Sequence, residues 1–469
     1  MIMQDLVITF REDGGHLYEQ IYRHIREEIR KGKLLCQEKL PSTRFLAEYL
    51  QVSRSTVELA YEQLVAEGYL ENVPYKGYYV ARVEELYQIG EASEKPEAAV
   101  ENKPVYRVDF SPNAIDMDCF PFNVWRRITK NILSQDKKET FALGEAKGDL
   151  QLRETIARYL HASRGVNAEA SRIIVGAGND YLLMLLNHVL GGGRAVAFEN
   201  PTYPRAYRIF GLFAEKLLTV PSDESGIRVD MLARTDADAV YVMPAHQYPT
   251  GVSMPIGRRH ALLRWAQEKE GRYVIEDDYD SEFRYRGKPI PSLQASDTAG
   301  RVIYIGSFSK AIAPAIRVSF MVLPPKLAER YERRCSVFSS TVSRIDQTVL
   351  NDFIREGAFE RHLNRMRKVY KEKQEVLLEE IKPLLQDFVL SGENAGLHVL
   401  LTDRRGRSER MLREAAEAVG VRVYGISEAF VEKEKHQTGS AATLLIGFGG
   451  LTKAQIREGA ALLQKAWEA

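Results

Sequence analysis

The pentapeptide Gly306-Ser307-Phe308-Ser309-Lys310 closes a strand-like run from Arg301 to Ile305, and Arg317 follows seven positions after the lysine. A lysine amine among small hydroxyl residues suits a Schiff base with an aldehyde cofactor, provided the amine can lose its proton. Burial of Lys310 near a second cation, Arg317, would disfavour its charged form. The hydroxyls of Ser307 and Ser309, together with Arg317, would then bind a phosphate while the imine fixes the other end. Those requirements describe pyridoxal phosphate. A surface lysine in a Ser/Gly loop would carry the same five residues, so the reading rests on what lies upstream.

Upstream, the other contacts of such a site occur in workable order. Gly176-Ala177-Gly178-Asn179-Asp180 stands between the run Ile173 to Val175 and an apolar helix from Tyr181 to Leu190. A strand, a glycine turn and a helix start, with Asn179 and Asp180 at the junction, offer backbone N–H groups to a phosphate. Glu199-Asn200-Pro201-Thr202-Tyr203 places an aromatic ring where it could stack on a planar cofactor. In Met243 to Gly251, His246 reads as a loop histidine without a catalytic role. Glu276-Asp277-Asp278-Tyr279-Asp280 follows another strand, and a carboxylate there could keep a pyridine nitrogen protonated. Adjacent acids also bind metals, but no histidine or cysteine cluster accompanies these, which favours the pyridinium partner and no metal.

The elements that must hold these residues are legible as rhythm. From Tyr106 onward, apolar runs at Ile173 to Val175, Ala195 to Phe198, Ala239 to Met243, Tyr273 to Ile275 and Val302 to Ile305 alternate with helical stretches. Such alternation predicts an α/β domain over 106–469 with a mostly parallel central sheet and helices on both faces. Residues 1–81 read differently. Leu17, Ile21, Ile25 and Ile29 mark one face of a helix from Leu17 to Lys31. Ser42 is placed to cap a second helix that carries Phe45, Leu46, Tyr49 and Leu50 inward, and Ser55 with Glu58 has capping-box spacing for a third from Arg54 to about Glu67. Two short strands around Pro74-Tyr75-Lys76-Gly77 complete a winged helix-turn-helix. The third helix is expected in a major groove of double-stranded DNA, through Ser42, Arg44, Ser53, Arg54, Thr56, Lys76 and Gly77. A small helical interaction module is the competing reading, because residues 1–80 hold ten Lys and Arg against twelve Asp and Glu. Weak, salt-sensitive affinity per copy follows, hence two copies per complex. Between the domains, 82–105 reads as a polar linker long enough to reach a neighbouring subunit.

Composition narrows the setting. The chain has 469 residues, 65 Lys and Arg against 64 Asp and Glu, and three cysteines without CxxC spacing. Overall charge therefore points to neither nucleic acid nor membrane, and the cysteines suit a reducing compartment. With no leader-like start and no run of membrane-spanning length, a cytoplasmic protein with no membrane partner is expected.

Leu-Pro-Ser-Thr-Arg, Val-Ser-Arg-Ser-Thr-Val and Glu-Gly-Tyr-Leu resemble the GntR family of winged-helix repressors. Gly148-Asp149-Leu150, Leu152-Arg153-Glu154, Tyr203, Pro-Thr-Gly, Asp277, Ser-Phe-Ser-Lys and Ala395-Gly396-Leu397-His398 resemble fold type I aminotransferases over nearly all of 106–469. Joined by a tether, the two resemble the MocR group of transcription regulators, closest in motifs to its GABA-responsive member. The resemblance implies Lys310 as the Schiff-base lysine, Asp277 at the pyridine nitrogen, Tyr279 at the ring hydroxyl and Tyr203 stacked on the ring. It also implies a head-to-tail homodimer, with an amine, an amino acid or pyridoxal phosphate itself as effector.

Three departures qualify this. Tyr248 stands where aminotransferases carry Asn before Pro-Thr-Gly, and Gly450 stands where an arginine clamps the ligand carboxylate. Arg205 matches a second carboxylate-binding arginine of the GABA-responsive member, but GABA itself is a doubtful ligand without the first. In the DNA reader, Glu58 occupies the place of a second recognition-helix arginine found in some relatives. A regulator is thus favoured over the alternative, a working aminotransferase that carries a DNA-binding domain.

Overall fold

The computed structural model describes residues 8, 10, 15–82, 105–134, 138–285, 290–432 and 441–468. All of the expected linker except its two end residues lies outside them. The chain divides into two compact units, 1–103 and 104–469.

In the smaller unit, α1 (Leu17–Arg30), α2 (Thr43–Leu50) and α3 (Arg54–Ala66) precede β1 (Leu70–Val73) and β2 (Gly77–Val80). Ile21, Ile25 and Ile29 form one core with Val57, Ala60, Leu64, Leu70 and Val80, whereas Leu17, at the open end of α1, is 43% exposed. Ser42 caps α2 by accepting the Phe45 N–H at 3.2 Å. Two expectations are corrected. Leu46 and Ala47 carry the inward face of α2, while Phe45 and Tyr49 are exposed, because a helix of two turns buries a single stripe. The cap of α3 is Ser53, whose Oγ accepts the Thr56 N–H at 3.2 Å; Ser55 already lies in the first turn, and Glu58 accepts from Arg54 Nε at 2.7 Å instead of closing a box. β1 and β2 pair antiparallel from Leu70↔Val80 to Val73↔Gly77, forming the wing.

In the larger unit, β3 (Val108–Asp109) is followed by β4 (Ile173–Gly176), β5 (Ala195–Asn200), β6 (Lys216–Asp223), β7 (Gly226–Ile227), β8 (Ala239–Val242), β9 (Tyr273–Asp278), β10 (Val302–Ser307) and β11 (Ser319–Val322). The last eight form one sheet, ordered β4-β11-β10-β9-β8-β5-β6-β7. From β10 to β6 the strands are parallel, and β11 runs antiparallel between β10 and β4. Ile303, Ile305 and Met321 point into one core with Leu182 and Leu186, while Tyr304 and Phe320 point into another with Leu152 and Ile156. This period-two division puts helices on both faces, which is why the strands read as nearly unbroken apolar runs. A second sheet of β12 (Phe388–Ser391), β13 (His398–Asp403), β15 (Tyr424–Gly425) and β16 (Thr443–Gly447) follows; β14 (Val421–Arg422) pairs with β3. The carboxyl ends of parallel strands share one edge of a sheet, where crevices for ligands form.

Among the described residues no helix is long and apolar enough to cross a membrane, and no group of three or more His, Cys, Asp or Glu could hold a metal ion.

Candidate cofactor site

A cavity of about 140 Å³ opens at that edge, lined by Asn179, Asp180, Tyr203, Arg205, Tyr248, Asp277, Tyr279, Ser307, Ser309, Lys310 and Arg317, with Asn113 and Met243. Every residue expected from the sequence to meet the cofactor or effector is therefore brought to one place. Asp277 is the last residue but one of β9, Ser307 ends β10, Gly176 ends β4, and Tyr203 follows β5 by three residues.

Lys310 sits at one wall with its Nζ buried and without a hydrogen-bond partner. Burial pushes its pKa down, while Asp280, 4.0 Å away, and Asp277 pull it back up. Burial was expected to lower it together with Arg317; burial is the cause, and Arg317 takes no part, its guanidinium lying beside Gly178 and Asp180. Asp277 is buried, accepts from the Tyr241 hydroxyl and, at 3.4 Å, from Asn179 Nδ2. Burial raises its pKa to about 7, so the carboxylate is held ready for a cation that would stabilise its charge.

Next to Asn179, the partner of Asp277, the chain makes a glycine turn. Gly178 has φ +90° and ψ 169°, and a Cβ placed on it would lie 2.1 Å from Arg317 Nη2. Only glycine leaves the guanidinium its place over the start of the helix Asn179–Leu190. Ser319 Oγ donates to Ser307 Oγ at 2.9 Å, and Ser307 Oγ accepts the Ser309 N–H at 3.2 Å, which fixes the serine loop. An unpartnered buried amine, an unpartnered Asn179 Oδ1 and a glycine cradle beneath an arginine fit a phosphorylated planar aldehyde. These residues can hold pyridoxal phosphate.

Several features depart from expectation. Tyr279 Oη lies 3.0 Å from His246 Nδ1, which also lies 2.9 Å from Asp280 Oδ1, so His246 is a buried anchor of the site and no loose loop residue. His398, its pKa lowered to about 4 mainly by burial, sits beside that pair, its Nε2 3.0 Å from the Pro249 carbonyl oxygen. Arg205 is ion-paired with Asp180 at 2.8 Å, and Arg317 approaches the same carboxylate at 3.6 Å. At Gly450, an added Cβ would meet Ala114 Cβ at 2.5 Å, so the packing leaves no room for the clamp arginine. Asn113, Tyr241, Met243 and Asp280 were not singled out from the sequence. Tyr241 lies inside an apolar strand and reads as core, and Asn113 arrives from far upstream only through the fold. The acid run contained Asp280, but it lies in the bend after β9, so strand alternation did not point it at Lys310.

In the smaller unit, Ser42, Arg44, Ser53, Arg54 and Lys76 are exposed, while Thr56 and Gly77 are half-buried. Arg54 and Ser53 stand at the start of α3, with Glu58 holding the Arg54 guanidinium.

Residues 108–461 match the family described as Aminotransferase class I and II, and residues 17–80 match Bacterial regulatory proteins, gntR family. The Uncharacterized HTH-type transcriptional regulator YdeL of Bacillus subtilis (strain 168) is 38% identical, covering 96% of this chain and 97% of its own. The Probable rhizopine catabolism regulatory protein MocR of Rhizobium meliloti is 32% identical over 98% and 96%. In fold, the larger unit is similar to Pyrococcus horikoshii kynurenine aminotransferase, with a TM-score of 0.68 and 25% identity over 78% of this chain and 92% of that one. A gntR-type reader and a pyridoxal-phosphate aminotransferase domain in one polypeptide, shared end to end with such regulators, place this chain in the MocR group of the gntR family of helix-turn-helix transcription regulators.

Proposed function

We propose that this regulator binds operator DNA as a head-to-tail homodimer in the cytoplasm and reads out the state of the cofactor cavity. The observation that carries the reading is the buried Lys310 amine, without a hydrogen-bond partner, in one cavity with Asp277, in a chain that also holds a winged helix. Pyridoxal phosphate, when bound, supplies an electrophilic carbonyl carbon and an electron-withdrawing ring. Lys310, its ammonium form disfavoured by burial, presents the nucleophilic amine. Asp277 holds a proton at the pyridine nitrogen, Asn179 and Tyr241 orient that carboxylate, and Tyr203 bounds the ring face. Ser307, Ser309, Arg317 and the Asn179–Asp180 helix start would hold the phosphate, and Tyr279, steered by His246, would hold the ring hydroxyl.

Tyr248 and Gly450 argue for sensing over turnover. No arginine emerges at 450 to hold a substrate carboxylate, and Arg205 is occupied by Asp180. The ligand is an amine, an amino acid or the cofactor itself. In the reader, Arg54 and Thr56 enter the groove at the start of α3, Ser42, Arg44 and Lys76 reach phosphates or base edges, and Ser53 and Gly77 lie beside them. The test titrates the cofactor-loaded chain with a panel of amines and amino acids, following the cofactor's visible band and keto-acid release. Spectral change without sustained release supports a sensor; steady release at enzyme-like rates replaces it with an aminotransferase.

A further inference from the structure

The larger unit holds a second cavity, of about 520 Å³, that shares no lining residue with the first. Its walls are the helix Leu150–Arg164, the segment after β9, and the turn from the helix Arg344–Arg355 into the helix Ala358–Glu380. Arginine dominates its chemistry. Arg164 is buried, donates from Nε to Asp278 Oδ2 at 2.8 Å, and leaves Nη2 buried without a hydrogen-bond partner. Among the described residues, Arg158 donates only to Thr155 Oγ1, at 2.9 Å. Arg367 donates to the Glu282 carbonyl oxygen at 2.8 Å and to Asn364 Oδ1 at 2.7 Å. Neither Arg158 nor Arg367 has a carboxylate within ion-pair range among the described residues, whereas Arg355 is already paired with Asp352 at 3.0 Å.

The acids on the lining do not cancel this charge. Glu360 is exposed. Glu282 accepts from the Tyr159 hydroxyl at 3.1 Å, and burial followed by repulsion from Asp278 raises its pKa to about 7, so near neutrality it is partly protonated. A concave site with guanidinium forks and an adjacent hydroxyl–carboxyl pair matches a small ligand with one planar or tetrahedral anionic group and a further polar group. With Arg317 assigned to the cofactor's own phosphate, the first cavity offers little to a second anion, because position 450 has no room for an arginine and Arg205 is held by Asp180.

We infer that this second cavity binds a small carboxylate- or phosphate-bearing effector through Arg158 and Arg367, which have no carboxylate partner among the described residues, and through the one unpartnered nitrogen, Nη2, of the Asp278-paired Arg164, and that the ligand is felt at the cofactor. The connection is one short piece of chain. Asp277 and Tyr279 line the cofactor cavity, Asp278 between them holds Arg164, Asp280 faces Lys310, and Ser281 with Glu282 lines the second cavity. An anion that draws Arg164 toward itself pulls on Asp278 and hence on both neighbours. The coupling rests on the cofactor reading given above; the anion site does not.

The test uses the full chain loaded with pyridoxal phosphate, titrated by calorimetry with sodium phosphate and with sodium succinate against sodium chloride at matched ionic strength. Saturable binding of either anion is expected at one per chain, about tenfold or more weaker in Arg158→Gln/Arg367→Gln with cofactor content unchanged. Preference for phosphate or for succinate identifies which anionic group the site takes. Arg158→Gln alone, at an exposed position, gives a partial loss and guards against misfolding of the double variant. Equal affinity in the variants, or no saturable binding of either anion, overturns the site. A shift of the cofactor's absorbance on saturation supports the coupling, and an unmoved spectrum overturns it alone. A chain that takes up no pyridoxal phosphate removes the cofactor reading, while an arginine-dependent titration still stands.

Discussion

Replacing Gly178 with alanine separates two contributions that the cofactor site combines. The backbone there, at φ +90° and ψ 169°, lies in a region that is essentially glycine's own, and forcing alanine into it costs on the order of 1–3 kcal/mol of stability. The new methyl also occupies the place of the Arg317 guanidinium, whose Nη2 would be 2.1 Å away. That group is the far end of a flexible side chain and swings out. If Arg317 binds the cofactor phosphate, the loss is one charge-assisted hydrogen bond, about 1.5–3 kcal/mol. Because the Arg317 side chain is 48% exposed, solvent screening favours the low end, roughly a tenfold loss of affinity. Pyridoxal phosphate titration followed in the visible band gives the affinity, and denaturant unfolding gives the stability. Gly192→Ala, where an added Cβ meets nothing within 4 Å, serves as the neutral control. A Gly178→Ala chain that is less stable yet binds the cofactor as tightly as wild type would refute the placement of Arg317 at the phosphate.

Further predictions address the other ends of the account. In the cofactor-free chain the Asp277 pKa of about 7 lies above the ordinary carboxylate value of 3.8, so stability from this group is full below 3.8 and is lost as pH rises through 7. A cation beside Asp277 reverses the preference, so cofactor affinity falls by up to about tenfold per unit as pH drops from 7 toward 5, and Asp277→Asn removes that slope; equilibrium titrations at stepped pH check it. Ser53→Ala should lower the stability of the smaller unit by about 1 kcal/mol through loss of its cap, with Ser55→Ala costing less; denaturant melts compare them. Arg54→Ala should weaken operator binding by about 1–3 kcal/mol in electrophoretic or anisotropy titrations, and unchanged affinity would count against α3 as the reader.

What the sequence made legible follows the range of the interactions involved. Strand ends near Gly176 and Ser307 were readable because apolar runs buried on both faces stop where polar chemistry begins, whereas β9 runs on past Ile275 through the buried acids to Asp278. The Ser42 cap is a contact over three residues and was visible; the Ser53 cap was missed because Ser55 offered a competing box with Glu58, which Arg54 claims instead. Phe45 and Tyr49 show the limit of apolar patterning, since side-chain type does not reveal how many neighbours a short helix has. The His246–Asp280 and Tyr241–Asp277 contacts span 34 and 36 residues, and only sheet order brings them together. Gly450 was recognisable as a missing arginine, but the reason it cannot be restored, Ala114 pressed against it, is tertiary.

The central claim is that occupancy of the Lys310 cavity is felt by the DNA reader. The most direct test measures affinity for the DNA upstream of the chain's own gene, with and without pyridoxal phosphate, in wild type and in Lys310→Ala. Coupling of about 1–3 kcal/mol predicts a shift of roughly five-fold or more in wild type, and Lys310→Ala should abolish it while still binding DNA. Identical DNA affinity in wild type with and without the cofactor would contradict the account.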